Sequence, residues 1–126
     1  GVRNIFIANR TLDKAKQLLA DLTLINPQYG SQLHAIALDQ MGIKVDIAIN
    51  ATSAALNAQG DTLYIPPSLQ FDLGYEMAYG KQSVFINYAQ QINAQVFDGL
   101  SMLIGQAAAS YELWFGVKPD INHIVL

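Results

Sequence analysis

Short apolar runs that stop at polar residues alternate along this chain with stretches of helical periodicity, and that alternation restricts the fold more than any other feature. Asn4 to Asn9 is one such run, with the size and composition of a strand buried on both faces. His34 to Leu38 and Asp46 to Ala51 are two more, the latter leading straight into Thr52 and Ser53. Phe71 to Met77 is a further candidate, interrupted by Gly74, and Gln95 to Phe97 is a brief one. Between them, Thr11 is placed to cap a helix over Leu12 to Leu22 whose Ala15, Leu18, Leu19 and Leu22 share one face. Ser83 is placed to cap a second helix through Asn93, with Val84, Phe85, Tyr88, Ala89 and Ile92 on one side. The longest helix is expected from Leu100 to Phe115, closed by Gly116 as a left-handed cap with Pro119 just beyond. Pro27 and Gly30 mark a loop, Asn57 to Asp61 reads as a turn, and Pro66 and Pro67 stop any helix nearby. Buried strands alternating with helices predict an α/β fold with an open, mainly parallel sheet.

Composition narrows the chemistry. A chain of 126 residues accommodates one domain, and 52 % hydrophobic against 13 % charged residues excludes disorder and implies apolar surface meant to meet something else. A net charge of −3 supplies no general attraction toward nucleic acid or an anionic membrane, so any phosphate must be met by local groups. No cysteine is present, which removes disulfides, thiolate metal sites and a thiol nucleophile. His34 reads as structural and His123 as exposed, and two histidines do not make a multi-histidine metal site. No apolar stretch approaches the roughly 20 residues of a membrane helix, and no signal-like segment is seen, so a cytoplasmic setting is expected.

In an open parallel sheet, ligands sit beyond the carboxyl ends of the strands. The first such end is Asn9-Arg10-Thr11. A dinucleotide fold that takes NAD carries an acidic residue here for the ribose hydroxyls; Arg10 offers instead two parallel charge-assisted bonds to a phosphate. Thr11 and the free amides of the helix start add neutral donors, and Lys14 a second cation one turn later, a set that favours NADP over NAD. An ordinary capped surface helix with an exposed arginine reads the same way. Thr52 and Ser53 end another strand as ligand contacts or as turn formers. Gly99, Met102 and Leu103 open the long helix as cofactor contacts or as turn and core. Gln106 must satisfy its amide, on a substrate hydroxyl or on backbone or water, and the Tyr79 hydroxyl meets either a ligand or solvent.

In combination these segments resemble shikimate dehydrogenase, a family that reduces 3-dehydroshikimate with NADPH. Asn9-Arg10-Thr11 with Lys14-Ala15 is similar to the family's Asn-Arg-Thr segment for the adenosine 2′-phosphate, and Asn50-Ala51-Thr52-Ser53 to its Asn-Ala-Thr-Ser strand end beside the cofactor. Tyr75-Glu76-Met77-Ala78-Tyr79 resembles Tyr-Asp-Met-x-Tyr, which implies Met77 near the nicotinamide and Tyr79 near the substrate. Asp98-Gly99-Leu100-Ser101-Met102-Leu103-Ile104-Gly105-Gln106-Ala107-Ala108 resembles Asp-Gly-Leu-Gly-Met-Leu-Val-x-Gln-Ala-Ala, implying Gly99, Met102 and Leu103 at the nicotinamide and Gln106 at the substrate. Leu113 to Asp120 fits the family's Leu-Trp-x-Gly-x-x-Pro-Asp ending. The fold implied is a Rossmann-like three-layer α/β/α domain. Ala54 and Ala55 stand where the family has a small residue then glycine, Ser101 replaces a glycine, and Glu76 an aspartate.

The resemblance starts at the family's second nucleotide-domain strand. Residues 1–126 are therefore expected to form a partial NADP-binding domain lacking the first strand, the glycine-rich turn and the N-terminal domain that carries the family's catalytic Lys and Asp, so no residue here is expected to be catalytic. In the sheet order 3-2-1-4-5-6 the missing strand lies between the runs at Asn4 to Asn9 and Asp46 to Ala51. Those two edges are expected to close by direct re-pairing or by strand exchange with a second copy, giving a homodimer. NADP binding by the chain alone is expected to be weak or absent, because the pyrophosphate-holding amides are missing. Alternatives are an NAD-using quinate/shikimate dehydrogenase, against which Arg10 argues, and a non-catalytic nucleotide-binding or assembly module.

Overall fold

The computed structural model describes residues 1–54 and 62–122, in two compact units. The turn expected at Asn57 to Asp61, Ala55 and His123 lie outside the described residues.

The first unit comprises Gly1–Val45 and Tyr64–Gln70. Strand β1 (Ile5–Asn9) runs parallel to β2 (Leu33–Ala37), with Phe6 opposite His34 and Asn9 opposite Ala37. Helix α1 (Leu12–Ile25) connects them and packs on both, burying Ala15 to 1 % exposure. A 3-10 turn at Pro27–Ser31, in which Asn26 Oδ1 accepts from the Gln28 amide at 3.1 Å, returns the chain to β2. His34 is exposed, bonds Asn4 Oδ1 at 3.1 Å and stacks on Phe6.

The second unit comprises Asp46–Leu63 and Phe71–Leu126. Its sheet has the order β3 (Lys44–Asn50), β4 (Gln70–Glu76), β5 (Gln95–Phe97), with the first residues of β3 and β4 belonging to the first unit. β4 and β5 are parallel, with Gly74 opposite Val96. The bonds Gln70 N to Ile43 O and Met77 N to Asn50 O keep one offset from end to end, the signature of a parallel β3–β4 pair. Helix α2 (Val84–Gln91) packs on β5, and α3 (Leu100–Phe115) follows it. Gly74, read as an interruption, is a packing device: a Cβ there would lie 3.0 Å from Phe71 Cε2 and 3.2 Å from Phe85 Cε1, the two rings that stack at 5.4 Å as the core of this unit.

The parallel α/β class is as expected, and β5 and α3 occupy the expected residues, with Gly116 at φ 68° as the left-handed cap. Five expectations need correction. Among the described residues the strands form two sheets, with β1 paired to β2 and β3 to β4, so direct re-pairing of β1 with β3 is not seen there. β1 is not buried on both faces: Ile5 and Phe6 are exposed, since β1 has one strand neighbour and α1 for cover. Thr11 is the N-cap of α1 by position, but its side chain makes no capping bond. Leu18 is exposed, and α1 runs on to Ile25 because its backbone bonds continue, with the Asn26 amide still donating to Leu22 O. α2 stops at Gln91, ahead of the left-handed Asn93 at φ 58°.

Candidate functional site

The carboxyl end of β1 turns into α1 through a side chain rather than a glycine. Asn9 Oδ1 accepts the Thr11 amide at 2.9 Å, an Asx turn that leaves Arg10 exposed at the tip. Lys14 N donates to Thr11 O at 3.0 Å, so the helix begins at once. Lys16 pairs with Asp13 at 3.9 Å, which occupies the acidic residue of this first turn. Arg10 and Lys14 are thus cations without a carboxylate partner among the described residues. The Thr11 hydroxyl makes no bond to the helix, and the first-turn amides of Leu12 and Asp13 have no acceptor among the described residues. Asn9, Arg10, Thr11 and Lys14 therefore stand together as a cationic, donor-rich corner, the chemistry that suits a phosphate ester.

In the second unit the strand ends are joined by a buried carboxylate. Glu76, at 0 % exposure, accepts on Oε2 from Asn50 Nδ2 and from Ser83 Oγ, each at 2.7 Å, and on Oε1 from the Ala78 amide at 3.1 Å. Ser83 in turn caps α2, its Oγ accepting from Ile86 N at 3.1 Å. Asn50 Oδ1 accepts from the Thr52 amide at 3.1 Å and from its hydroxyl at 2.8 Å. One network thus fixes the end of β3, the end of β4 and the start of α2.

The segment Met77–Gly80 is tied down along its length. Met77 N donates to Asn50 O at 3.1 Å, Gly99 N to Ala78 O at 3.0 Å, and Gly80 N to Asp98 Oδ2 at 3.4 Å. Asp98 Oδ1 also takes the Leu100 amide at 3.2 Å, at the start of α3. Gly99 is obligatory for close approach, because a Cβ there would collide with the Met77 carbonyl. The structure therefore brings together Thr52, Met77, Tyr79 and Gly99, with Met102 and Leu103 in the first turn of α3. Met77, Tyr79 and Met102 are exposed, Leu103 half-buried, and Gln106 exposed one turn farther along. Ser53 is exposed beside Thr52. Ser101, where the resemblance has glycine, places its hydroxyl 3.4 Å from the Tyr75 hydroxyl. Among the described residues no group of histidines, cysteines and carboxylates is arranged to hold a metal, and no helix is long and apolar enough to cross a membrane.

Sequence reasoning singled out Thr52 and Met77 and read Ser83 as the cap of α2, which it is, but missed the network that joins Asn50, Glu76 and Ser83. Glu76 was registered only as a departure from aspartate, and nothing in the adjacent sequence marks it as buried.

Residues 99–124 match the family model described as the shikimate 5′-dehydrogenase C-terminal domain. Over 97 % of its length the chain is similar to two curated proteins named shikimate dehydrogenase (NADP(+)), with 48 % identity in Acinetobacter baumannii strain ATCC 17978 and 44 % in Acinetobacter baylyi. It covers 45 % of each, so it spans less than half the length of these relatives. Among solved structures, a shikimate dehydrogenase in complex with NADP+ superposes with a TM-score of 0.77 at 31 % identity, over 94 % of this chain and 43 % of that one. An Ael1 enzyme from Pseudomonas putida gives 0.76 at 35 % identity, over 94 % and 42 %. The Rossmann-like fold expected from the sequence is that of these neighbours.

Proposed function

We propose that this chain, which resembles shikimate dehydrogenase along nearly its entire length, is the NADP-holding portion of such an enzyme. The complete enzyme reduces 3-dehydroshikimate to shikimate with NADPH, in the cytoplasm, as a step toward chorismate and the aromatic amino acids. The observation that carries this reading is the cationic corner at the end of β1, where Arg10 and Lys14 lack carboxylate partners and the first amides of α1 lack acceptors among the described residues. An NAD site would present a carboxylate there.

NADPH, when bound, supplies the hydride; the residues here orient and select. Asn9 shapes the turn, while Arg10, Thr11 and Lys14 grip the 2′-phosphate. Thr52, Ser53, Met77, Gly99, Met102 and Leu103 form the surface for the nicotinamide half, and Tyr79 and Gln106 meet the substrate. The general acid and the groups that hold the substrate carboxylate lie in the part of the relatives that this chain does not span. The chain alone is accordingly inactive and binds NADP weakly. Among the described residues each sheet also has an edge strand with one neighbour, β1 in the first and β3 in the second. The isolated chain covers them by strand exchange with a second copy, and sedimentation velocity should return a dimer; a monomer with protected β3 amides would refute this.

The function is tested on the complete gene product by following reduction of 3-dehydroshikimate with NADPH and NADH, and oxidation of quinate and shikimate. Strong preference for NADPH and for shikimate over quinate is expected. Equal use of NADH, or faster turnover of quinate, would favour the NAD-using quinate/shikimate dehydrogenase, and no turnover of either would refute the assignment.

A further inference from the structure

Glu76 reaches the strand-end site through a relay whose direction is fixed by donor and acceptor chemistry. The Thr52 backbone amide lies 3.1 Å from one terminal atom of Asn50, and since a backbone N–H only donates, that atom is the oxygen. The other terminal atom is then the NH2, which donates to Glu76 Oε2 at 2.7 Å. The same Asn50 oxygen stands 2.8 Å from Thr52 Oγ1, so the Thr52 proton is committed to it and the hydroxyl turns lone pairs outward. The Ala54 amide approaches Thr52 Oγ1 at 3.4 Å, a long contact that leaves acceptor capacity free. Through its second oxygen Glu76 holds the Ala78 amide, and with it the segment that carries Met77 and Tyr79.

We propose that Glu76 is a positioning residue for the nicotinamide end of the site. Through Asn50 it presents the Thr52 hydroxyl as an acceptor, matched to a donating group on the ligand such as a carboxamide NH2. Through Ala78 it sets the height of Met77 and Tyr79. This rests on the function proposed above, which assigned no role to Glu76 or Asn50.

A charge-swap cycle in the complete enzyme tests the relay. In E76Q the introduced amide either meets the Ala78 N–H with its own NH2 or turns that NH2 toward Asn50, which must then flip and release Thr52. N50D alone sets two carboxylates face to face across a 2.7 Å contact. With both changes, the introduced amide donates to the introduced carboxylate and to Ser83 Oγ, whose proton turns away, its oxygen accepts from Ala78, and Thr52 keeps its acceptor.

Each single substitution is expected to lower kcat/KM for 3-dehydroshikimate by about tenfold, and the double variant to return within about threefold of the unchanged enzyme. Inhibition by 2′,5′-ADP, which carries the 2′-phosphate but no nicotinamide, should stay unchanged in all four proteins and reports that the nucleotide-binding end is folded. Amide exchange at Thr52 and Ala78 should quicken in the single variants and slow again in the double. Additive losses in the double variant, or single variants within twofold of the unchanged enzyme despite faster exchange at Thr52, would overturn the inference alone. An unchanged enzyme without 3-dehydroshikimate reductase activity would overturn the proposed function, and this inference with it.

Discussion

The two strand ends that carry candidate site residues are built by opposite means. At the end of β1, a short-range side-chain bond sets the turn, with Asn9 Oδ1 receiving the Thr11 amide, and long charged side chains are left free in solvent. At the ends of β3 and β4, a carboxylate with no solvent exposure gathers three donors from three elements, and the side chain it orients, Thr52, is short. The contrast matches the groups each end is proposed to meet. A phosphate is gripped by charge, tolerant of position, and flexible cations suffice. A neutral ring that must be held at a defined height needs preset, short, hydrogen-bonded groups, since small misplacement there is expensive in rate.

Removing the hub of the second end should have the largest effect. Glu76→Ala leaves the Asn50 NH2, the Ser83 hydroxyl and the Ala78 amide without their acceptor, and a loss on the order of 3 kcal/mol is expected in urea unfolding. Gly99→Ala drives a methyl group into the Met77 carbonyl and should lose about 2 kcal/mol while displacing the Met77–Gly80 segment, visible as faster exchange of the Gly99 amide. The caps give the sharpest pairing. Ser83→Ala deletes both a working cap and a donor to Glu76 and should cost about 1–2 kcal/mol. Thr11→Ala deletes a hydroxyl that caps nothing and should stay within about 0.5 kcal/mol by the same measurement. Equal losses from the two caps would erase the distinction between the regions.

How far the sequence carried follows the range of the interactions. β5 and α3 were legible to the residue, because an apolar run, a helical period and the glycine stop at Gly116 are local signals. The closeness of Asn9, Arg10, Thr11 and Lys14 at the end of β1 was legible too, since they are neighbours in the chain. The Glu76 hub was not: Asn50 lies 26 residues away, and nothing local distinguishes an acidic residue that ends a strand in solvent from one buried under three donors. The error at Thr11 has the same root, because the residue type signals a cap whether or not its hydroxyl turns toward the helix. Leu18 and the apolar run of β1 were read as buried from pattern alone, while burial depends on which elements stand opposite, and the strands divide into two sheets. Gly74 was read as an interruption because its benefit, room for Phe71 and Phe85, appears only once the rings are stacked.

The most direct test of the account is a change of sign at the tip of β1. In the complete enzyme, the ratio of kcat/KM with NADPH to that with NADH should strongly favour NADPH, and Arg10→Asp should shift it toward NADH by at least about a hundredfold, as a carboxylate repels the 2′-phosphate and accepts from the ribose hydroxyls. A ratio left unchanged by Arg10→Asp, in an enzyme whose turnover with its preferred cofactor is also unchanged, would contradict the assignment of that corner to the cofactor.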